Sequence, residues 1–391
     1  SRRSINLNTW LSLKMLAARV AGYFLLLCVL FASYVFSEGD CGCGSLSRSS
    51  GLESGSTCTL EKTTEEKKDS AEGEKKATDG VTISADEGAT KTRELTHMVY
   101  IRGGYLEMGQ EEDDKALEQH QVLDGESPIR RVQLSGFYLD EHAVTNEQFA
   151  EFIEETNFQT DAEKYGWSFV FEKFIDPDHE FNVVQSAPWW VSVPNATWAH
   201  PFGPESDNAG IEDHPVVHTS WNDAFAYCKW AGKRLPTEAE HEWASKSGLK
   251  HKRYPWGEEL YHPGKEGKEK HRCNIWQGKF PTDNTGEDGY VYTSPAKSFE
   301  PTAFGLYNIV GNVWEWVNDY WTIKHTREPR VNPKGPESGD RRVQRGGSYM
   351  CHASYCYRYR TTARIGNEPD TSTGNLGFRC AKDKPKKPKK Q

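Results

Sequence analysis

The chain has 391 residues, 36% of them hydrophobic and 12% aromatic, enough to bury a substantial core behind whatever tails it carries. Its net charge is −9, with acids and bases mixed along most of the chain. That pattern offers no basic footprint for nucleic acid and excludes DNA or RNA as an expected partner.

An apolar run from Val20 to Phe36 follows Met15 and Arg19 and stops at Ser37-Glu38-Gly39-Asp40. Val35 and Ser37 are small enough to precede a cut at Glu38, whereas a membrane span needs about 20 apolar residues. Residues 1–37 are therefore expected to be a signal peptide or signal anchor, with membrane attachment only if the segment is retained. Either way the rest of the chain is expected to face an oxidising lumen. Residues 38–97 form an extension carrying Cys41, Cys43 and Cys58. From Thr59 to Thr96 it is dominated by Glu, Lys, Asp, Ser, Thr and Gly with almost no large apolar residue, a composition that cannot offset its ordering entropy by burial.

Residues 98–381 have one texture and are expected to form one domain, followed by a Lys/Pro-rich tail at 382–391. Alternation over Met98 to Gly109, broken by Gly103-Gly104, predicts strand, turn and strand. Thr145 with Gln148 makes a capping box ahead of Phe149, Phe152 and Ile153, which share a helical face. Another helix starts near Ser220 and carries Ala224, Cys228 and Ala231 on one side. A third begins with the Thr237 and Glu240 box and ends by Gly248. Much of the remainder is rich in Gly, Pro, Asn and aromatic residues without clear period, so the expected class is α+β with little regular secondary structure. Buried coil of that kind needs pins such as disulfides or calcium.

Three segments could carry chemistry. Asn274-Ile275 with Asp283 to Tyr290 crowds oxygen ligands around a glycine-rich turn, in a spacing that does not match an EF-hand, so a hard cation and an Asx turn both remain open. Asn308 to Trp316 flanks a glycine with amide and carboxylate groups, and there a cation site competes with a capped turn over buried tryptophans. Gly346 to Arg360 holds Cys351 and Cys356 separated by four residues, able to form a disulfide, share a soft metal or act as a redox pair. His352, Arg358 and Arg360 could stabilise a thiolate there, and Ser348 could orient water or oxygen. Cys228, Cys273, Cys351, Cys356 and Cys380 make an odd set, so pairing confined to this domain leaves a thiol over.

The runs Gly305 to Trp316, Gly346 to Arg360, Asn375 to Cys380 and Lys233 to Glu240, in that context, resemble the formylglycine-generating enzyme family across Met98 to Cys380. The resemblance implies a variant of the C-type-lectin-like fold stabilised by two calcium ions. It places the first at Asn274, Ile275, Asp288 and Tyr290 and the second at Asn308, Gly311, Val313 and Glu315. It implies that Cys351 and Cys356 hold Cu(I) and, with Ser348, convert the cysteine of a Cys-X-Pro-X-Arg motif in newly made sulfatases to formylglycine, using dioxygen. Phe299, Trp314, Tyr355 and Asn375 would meet the substrate. Cys228 would pair with Cys380, while a second family disulfide is replaced by Ser245 and Thr361. Cys273 has no family counterpart and is expected to be a buried thiol.

Cys41 and Cys43 match a region that exchanges disulfides with lumenal thiol oxidoreductases, consistent with residence in the endoplasmic reticulum lumen and a partly secreted fraction. Asn195-Ala196-Thr197 is the expected glycan site. The alternatives are a non-catalytic lumenal binding module for sulfatases, like a family paralogue lacking the cysteine pair, an iron oxygenase sharing the domain, or a purely structural Cys351–Cys356 bridge.

Overall fold

The computed structural model describes residues 46, 48, 97–111, 124–176, 178, 181–264 and 269–385. The expected signal segment, Cys41, Cys43, Cys58 and the charged linker up to Thr96 lie outside the described residues. No helix among those described is long and apolar enough to cross a membrane.

Four α-helices occur among the described residues: α1 (Asn146–Thr156), α2 (Asp161–Tyr165), α3 (Trp221–Trp230) and α4 (Glu238–Lys246). Each begins with a capping box, from Thr145, Thr160, Ser220 and Thr237 respectively, in which side chain and backbone satisfy each other's orphan donors. The boxes of α1, α3 and α4 fall where the sequence puts helix starts. Helix α2 is an addition, although Thr160 and Glu163 carry the same signature.

The longer strands are β1 (Met98–Ile101), β2 (Gly104–Met108), β3 (Arg130–Leu134), β4 (Phe137–Asp140), β5 (Trp167–Phe171), β6 (Asn182–Val184), β7 (Ala187–Pro194), β8 (Trp314–Tyr320), β9 (Arg330–Val331), β10 (Arg342–Arg345), β11 (Arg364–Asn367), β12 (Leu376–Phe378) and β13 (Ala381–Asp383). The two expected opening strands form on either side of Gly103, and they pair in different sheets. Strand β1 pairs antiparallel with β4, which also pairs with β13, whereas β2 joins β3 in a separate sheet. A Cβ on Gly103 would lie 2.4 Å from the Leu134 carbonyl, so the chain crosses between the two sheets where backbones nearly touch. Strand β7 lies between β5 and β6 in a third sheet.

The central sheet has the order β11-β10-β8-β12, with β8 and β12 parallel and the other pairs antiparallel. Helices α1 and α3 bury Phe149, Phe152 and Tyr227 against Trp314, Trp316 and Phe378 of this sheet. The disulfide Cys228–Cys380 ties α3 to the chain just after β12, as the resemblance implies. Cys351 and Cys356 belong to the same core cluster. The site is therefore built against the best-packed part of the molecule.

Candidate functional site

After β10 the chain reverses through Gly346 (φ 95°) and Gly347 (φ 73°). Side chains there would be strained, and a Cβ on Gly347 would sit 3.0 Å from the Arg358 carbonyl. The reversal returns Ser348 to Cys351 beneath the sheet edge. Cys351 donates its N–H to the Ser348 carbonyl and Cys356 donates to the His352 carbonyl, giving two successive turns that point both thiols inward. Cys351 and Cys356 are fully buried, with their Sγ atoms 2.7 Å apart.

Ser348 borders Cys351 through its backbone N–H, which donates to Sγ at 3.4 Å, and through its hydroxyl, 4.0 Å from the same sulfur. The Ser348 oxygen accepts from Asn375 Nδ2 at 3.0 Å and from the Met350 N–H at 3.3 Å. Thr373 donates to Asn375 Oδ1 at 2.7 Å, which orients the amide. The Trp314 N–H donates to the Asn375 carbonyl at 2.9 Å. The structure thus brings Cys351, Cys356, Ser348, Asn375 and Trp314 into one connected set. Tyr355 donates to the Met350 carbonyl and stacks on Phe280 with ring centroids 3.6 Å apart. Phe299 instead meets Tyr290 edge-on, 5.9 Å away, and no described ring contact joins it to the cysteine pair.

The arginines suggested by sequence as thiolate neighbours also hold buried carboxylates. Arg358 donates to Asp124 at 2.7 and 3.1 Å, and Arg360 to Glu126 at 2.6 and 2.9 Å. These carboxylates lie more than 230 residues away in sequence, which is why spacing could not reveal them. His352 bonds Ser354, and burial pushes its imidazole pKa down, favouring the neutral ring. The polar neighbours of Cys351 on the Ser348 side are thus a backbone amide and a hydroxyl. Cys273 is buried outside any disulfide, and burial pushes its thiol pKa up, away from reactivity. Ser245 Oγ donates to the Thr361 carbonyl at 3.5 Å, so the two residues standing in place of a family disulfide remain neighbours.

The two oxygen-rich sets differ. At the first, the buried Asn274 Oδ1 has no hydrogen-bond partner, and Asp288 accepts from the Ile275 and Tyr290 amides at 3.0 Å each. Burial pushes the Asp288 carboxyl pKa up, the signature of a charge short of a counterion. At the second, Asn308 Oδ1 is likewise unpartnered, and a Cβ on Gly311 would lie 2.6 Å from the Asn274 carbonyl. The Glu315 carboxylate there already accepts from Arg379 at 2.8 Å and from His241 at 3.0 Å. The donor set and orphan oxygen of the first fit a calcium ion. The second fits less well, because Arg379 already balances its carboxylate.

A further feature escapes sequence reasoning. Arg48 is buried between the Tyr165 and Trp167 rings, its guanidinium carbon 4.3 and 4.6 Å from their centroids. It donates to the Asp370 carbonyl at 2.9 Å, the Trp167 carbonyl at 3.0 Å and Ser372 Oγ at 2.7 Å. Leu46 accepts from Thr371 Oγ at 2.9 Å and joins the apolar cluster that contains Tyr349 and Met350. Only the isolated Leu and Arg in a Gly/Ser-rich stretch signal this docking in the sequence.

A mixed α+β core carrying a buried cysteine pair flanked by serine and asparagine defines a sulfatase-modifying factor enzyme 1-like domain. Residues 84–384 match the model of that family, and the chain belongs to it. It is 53% identical to the formylglycine-generating enzyme of Mus musculus over 292 residues, covering 74% of this chain and 76% of the relative. The same identity over 292 residues links it to the formylglycine-generating enzyme of Thermomonospora curvata, covering 73% and 93%. It is 43% identical over 289 residues, 73% of this chain and 85% of the relative, to the inactive C-alpha-formylglycine-generating enzyme 2 of Mus musculus. The solved structure of PvdO from Pseudomonas aeruginosa superimposes with a TM-score of 0.52 and 23% identity over 73% of this chain and 94% of that one, which speaks to the fold alone.

Proposed function

We propose that this protein activates sulfatases by oxidising the cysteine of a Cys-X-Pro-X-Arg motif to formylglycine, with Cys351 and Cys356 as its Cu(I) ligands. The observation that carries the reading is the juxtaposition itself: two fully buried cysteines with Sγ atoms 2.7 Å apart, beside Ser348 and Asn375. Its donor set suits Cu(I), since soft thiolates bind that ion and two sulfurs leave room for a third. When bound, Cu(I) supplies a soft site for the substrate thiolate and one-electron chemistry toward dioxygen.

The chain's own residues do the positioning. The Ser348 N–H is aimed at Cys351 Sγ, and the Ser348 oxygen is filled by donors from Asn375 and Met350, so its proton is left to serve sulfur or oxygen. Trp314 and Tyr355 line the approach, and burial excludes bulk water until a substrate thioaldehyde is hydrolysed. In sum, the substrate –CH₂SH, dioxygen and two reducing thiols give –CHO, hydrogen sulfide, water and a disulfide. Calcium at Asn274, Asp288 and the Ile275 and Tyr290 carbonyls would pin the adjoining coil. A second ion at Asn308, Gly311, Val313 and Glu315 would have to share Glu315 with Arg379. Residence in the endoplasmic reticulum lumen, exchange through Cys41 and Cys43 with thiol oxidoreductases, and a glycan on the exposed Asn195 complete the proposal.

The test is to incubate the full chain, loaded with Cu(I) and supplied with a reducing thiol, with a peptide containing Leu-Cys-Thr-Pro-Ser-Arg in air. Mass spectrometry should show conversion of –CH₂SH to –CHO, abolished by Cys351→Ser and by Cys356→Ser. A peptide left unchanged by folded, copper-loaded protein would favour the binding-module reading, which the inactive relative at 43% identity keeps in view.

A further inference from the structure

The docked Leu46 and Arg48 acquire meaning beside the substrate motif. In Cys-X-Pro-X-Arg the arginine follows the cysteine by four residues and the proline by two. Counting back from Arg48 in the same way puts Leu46 at the proline position and Gly44 at the cysteine position, within Gly44-Ser45-Leu46-Ser47-Arg48. The segment carries the motif's arginine, an apolar residue for its proline, and no thiol where the thiol should be.

The place where Arg48 docks has the chemistry of a guanidinium reader. Two carbonyls and a hydroxyl accept from three of its nitrogens, and two aromatic rings flank it. Among the described residues its hydrogen-bond acceptors are neutral, with Asp370, Asp161 and Asp223 acting on it through space, so the site combines recognition of the planar fork with a favourable field. It is also at the right reach. Ser372 lies three residues before Asn375, which bonds Ser348 beside Cys351, and three residues span at most about 11 Å. A substrate arginine four residues from its cysteine can lie up to about 14 Å away along the backbone. Leu46, midway, joins the cluster of Tyr349 and Met350, the residues immediately before Cys351.

We propose that Leu46 and Arg48 form a built-in pseudosubstrate that occupies the proline and arginine subsites in cis and must leave before a sulfatase segment can bind. The inference rests on the oxidase reading for the identity of the substrate, but on the docking geometry for the site. Because the segment is tethered, its effective concentration is on the order of millimolar, and substrate affinity is divided by the fraction of molecules in which it has left. A partner that captures the extension would thereby raise that fraction.

The test compares the full chain with its Arg48→Ala variant. With the Leu-Cys-Thr-Pro-Ser-Arg peptide, Arg48→Ala should lower KM about five-fold or more while leaving kcat unchanged, the pattern of a removed competitor. An unreactive Leu-Ser-Thr-Pro-Ser-Arg peptide, read by fluorescence anisotropy without copper, should bind the variant more tightly by the same factor. Unchanged or weaker binding of the serine peptide would overturn the pseudosubstrate. Tighter binding without turnover in either protein would sink the oxidase reading and leave this one standing. Register is tested separately by Gly44→Cys with Leu46→Pro, which completes the motif. The new cysteine should be converted within its own chain, and its persistence as a thiol in protein that converts the external peptide would refute the register.

Discussion

Replacing Asn375 by aspartate changes one NH₂ group for an oxygen at nearly constant shape. In the native protein Thr373 donates to Asn375 Oδ1 at 2.7 Å, so Nδ2 faces Ser348 and donates at 3.0 Å. Met350 supplies a second donor to the same hydroxyl oxygen, leaving the Ser348 proton as its remaining valence, nearest Cys351 Sγ at 4.0 Å. A carboxylate at position 375 accepts that proton and turns it away from the sulfur. Losing one oriented buried hydrogen bond costs about 1–3 kcal/mol, which is about 5- to 150-fold in kcat/KM. The assay is steady-state oxidation of the cysteine peptide, with kcat and KM resolved, on Asn375→Asp, Ser348→Ala and the double variant. If Asn375 acts through Ser348, the aspartate should lower kcat on the native background and cost little more once Ser348 is alanine. An equal penalty on both backgrounds would refute the reasoning.

Glu238 lies between Arg364 and Arg345, accepting from Arg364 Nη2 and Arg345 Nη1 at 3.0 Å each, with all three side chains buried. Glu238→Gln leaves two buried guanidinium groups short of a partner and should lower stability by about 3–5 kcal/mol in urea denaturation at neutral pH. Burial opposes ionisation of Glu238, but the two arginines prevail and hold its pKa far below the ordinary 4.5. Its stabilisation is therefore complete above that value and fades as pH falls, so the gap to the glutamine variant should close in acid. Asp319 behaves oppositely: burial, then the charge of Glu238, pushes its pKa up to about 8 from 3.8. It is held protonated when folded, a contribution complete below 3.8 and lost as pH rises toward 8, so Asp319→Asn should raise stability by about 1–3 kcal/mol near pH 8 and by less near pH 5. An unchanged melting temperature at pH 8 would count against this. Ser245→Cys with Thr361→Cys should form a bridge visible as lost free thiol and stabilise the chain by about 2–4 kcal/mol, since the positions already touch.

Local signals were legible where local chemistry decides. The boxes at Thr145, Ser220 and Thr237 mark helix starts because cap and third residue satisfy each other without help from the rest of the chain. The Cys351 and Cys356 turns could be read as a candidate site because their residues are contiguous. Long-range partnerships could not. Arg358 and Arg360 sit beside the cysteines in sequence, and their ion pairs with Asp124 and Glu126 join segments too far apart for any spacing rule to link. The opening strands were legible from local signals, with Gly103-Gly104 marking the break between β1 and β2, whereas their pairing in different sheets was not, because the partners lie farther along the chain. Leu46 and Arg48 were hidden by composition, since a Gly/Ser-rich neighbourhood argues against order until a pocket is seen to receive them.

These hidden partnerships explain how coil can hold two thiols in place. Arg345, just before the Gly346-Gly347 reversal, donates to Glu238 and Glu242 of α4. Arg358 and Arg360, just after Cys356, are held by Asp124 and Glu126. The segment carrying Ser348, Cys351 and Cys356 is thus clamped at both ends to different parts of the molecule by buried charge pairs. Such pairs add little net stability over apolar packing, but displacing either end would leave a charge uncompensated in the interior. The clamps consequently act on uniqueness more than on stability, holding the sulfurs where Ser348 and Asn375 can address them. They fix the cysteine segment from within, whereas Arg48 reaches its pocket from a separate stretch of chain and, among the described residues, donates to two carbonyls and a hydroxyl. On the proposed reading, a fixed cysteine segment beside a pocket of carbonyl and hydroxyl acceptors and aromatic faces is the arrangement from which a tethered occupant leaves without disturbing the cysteine pair.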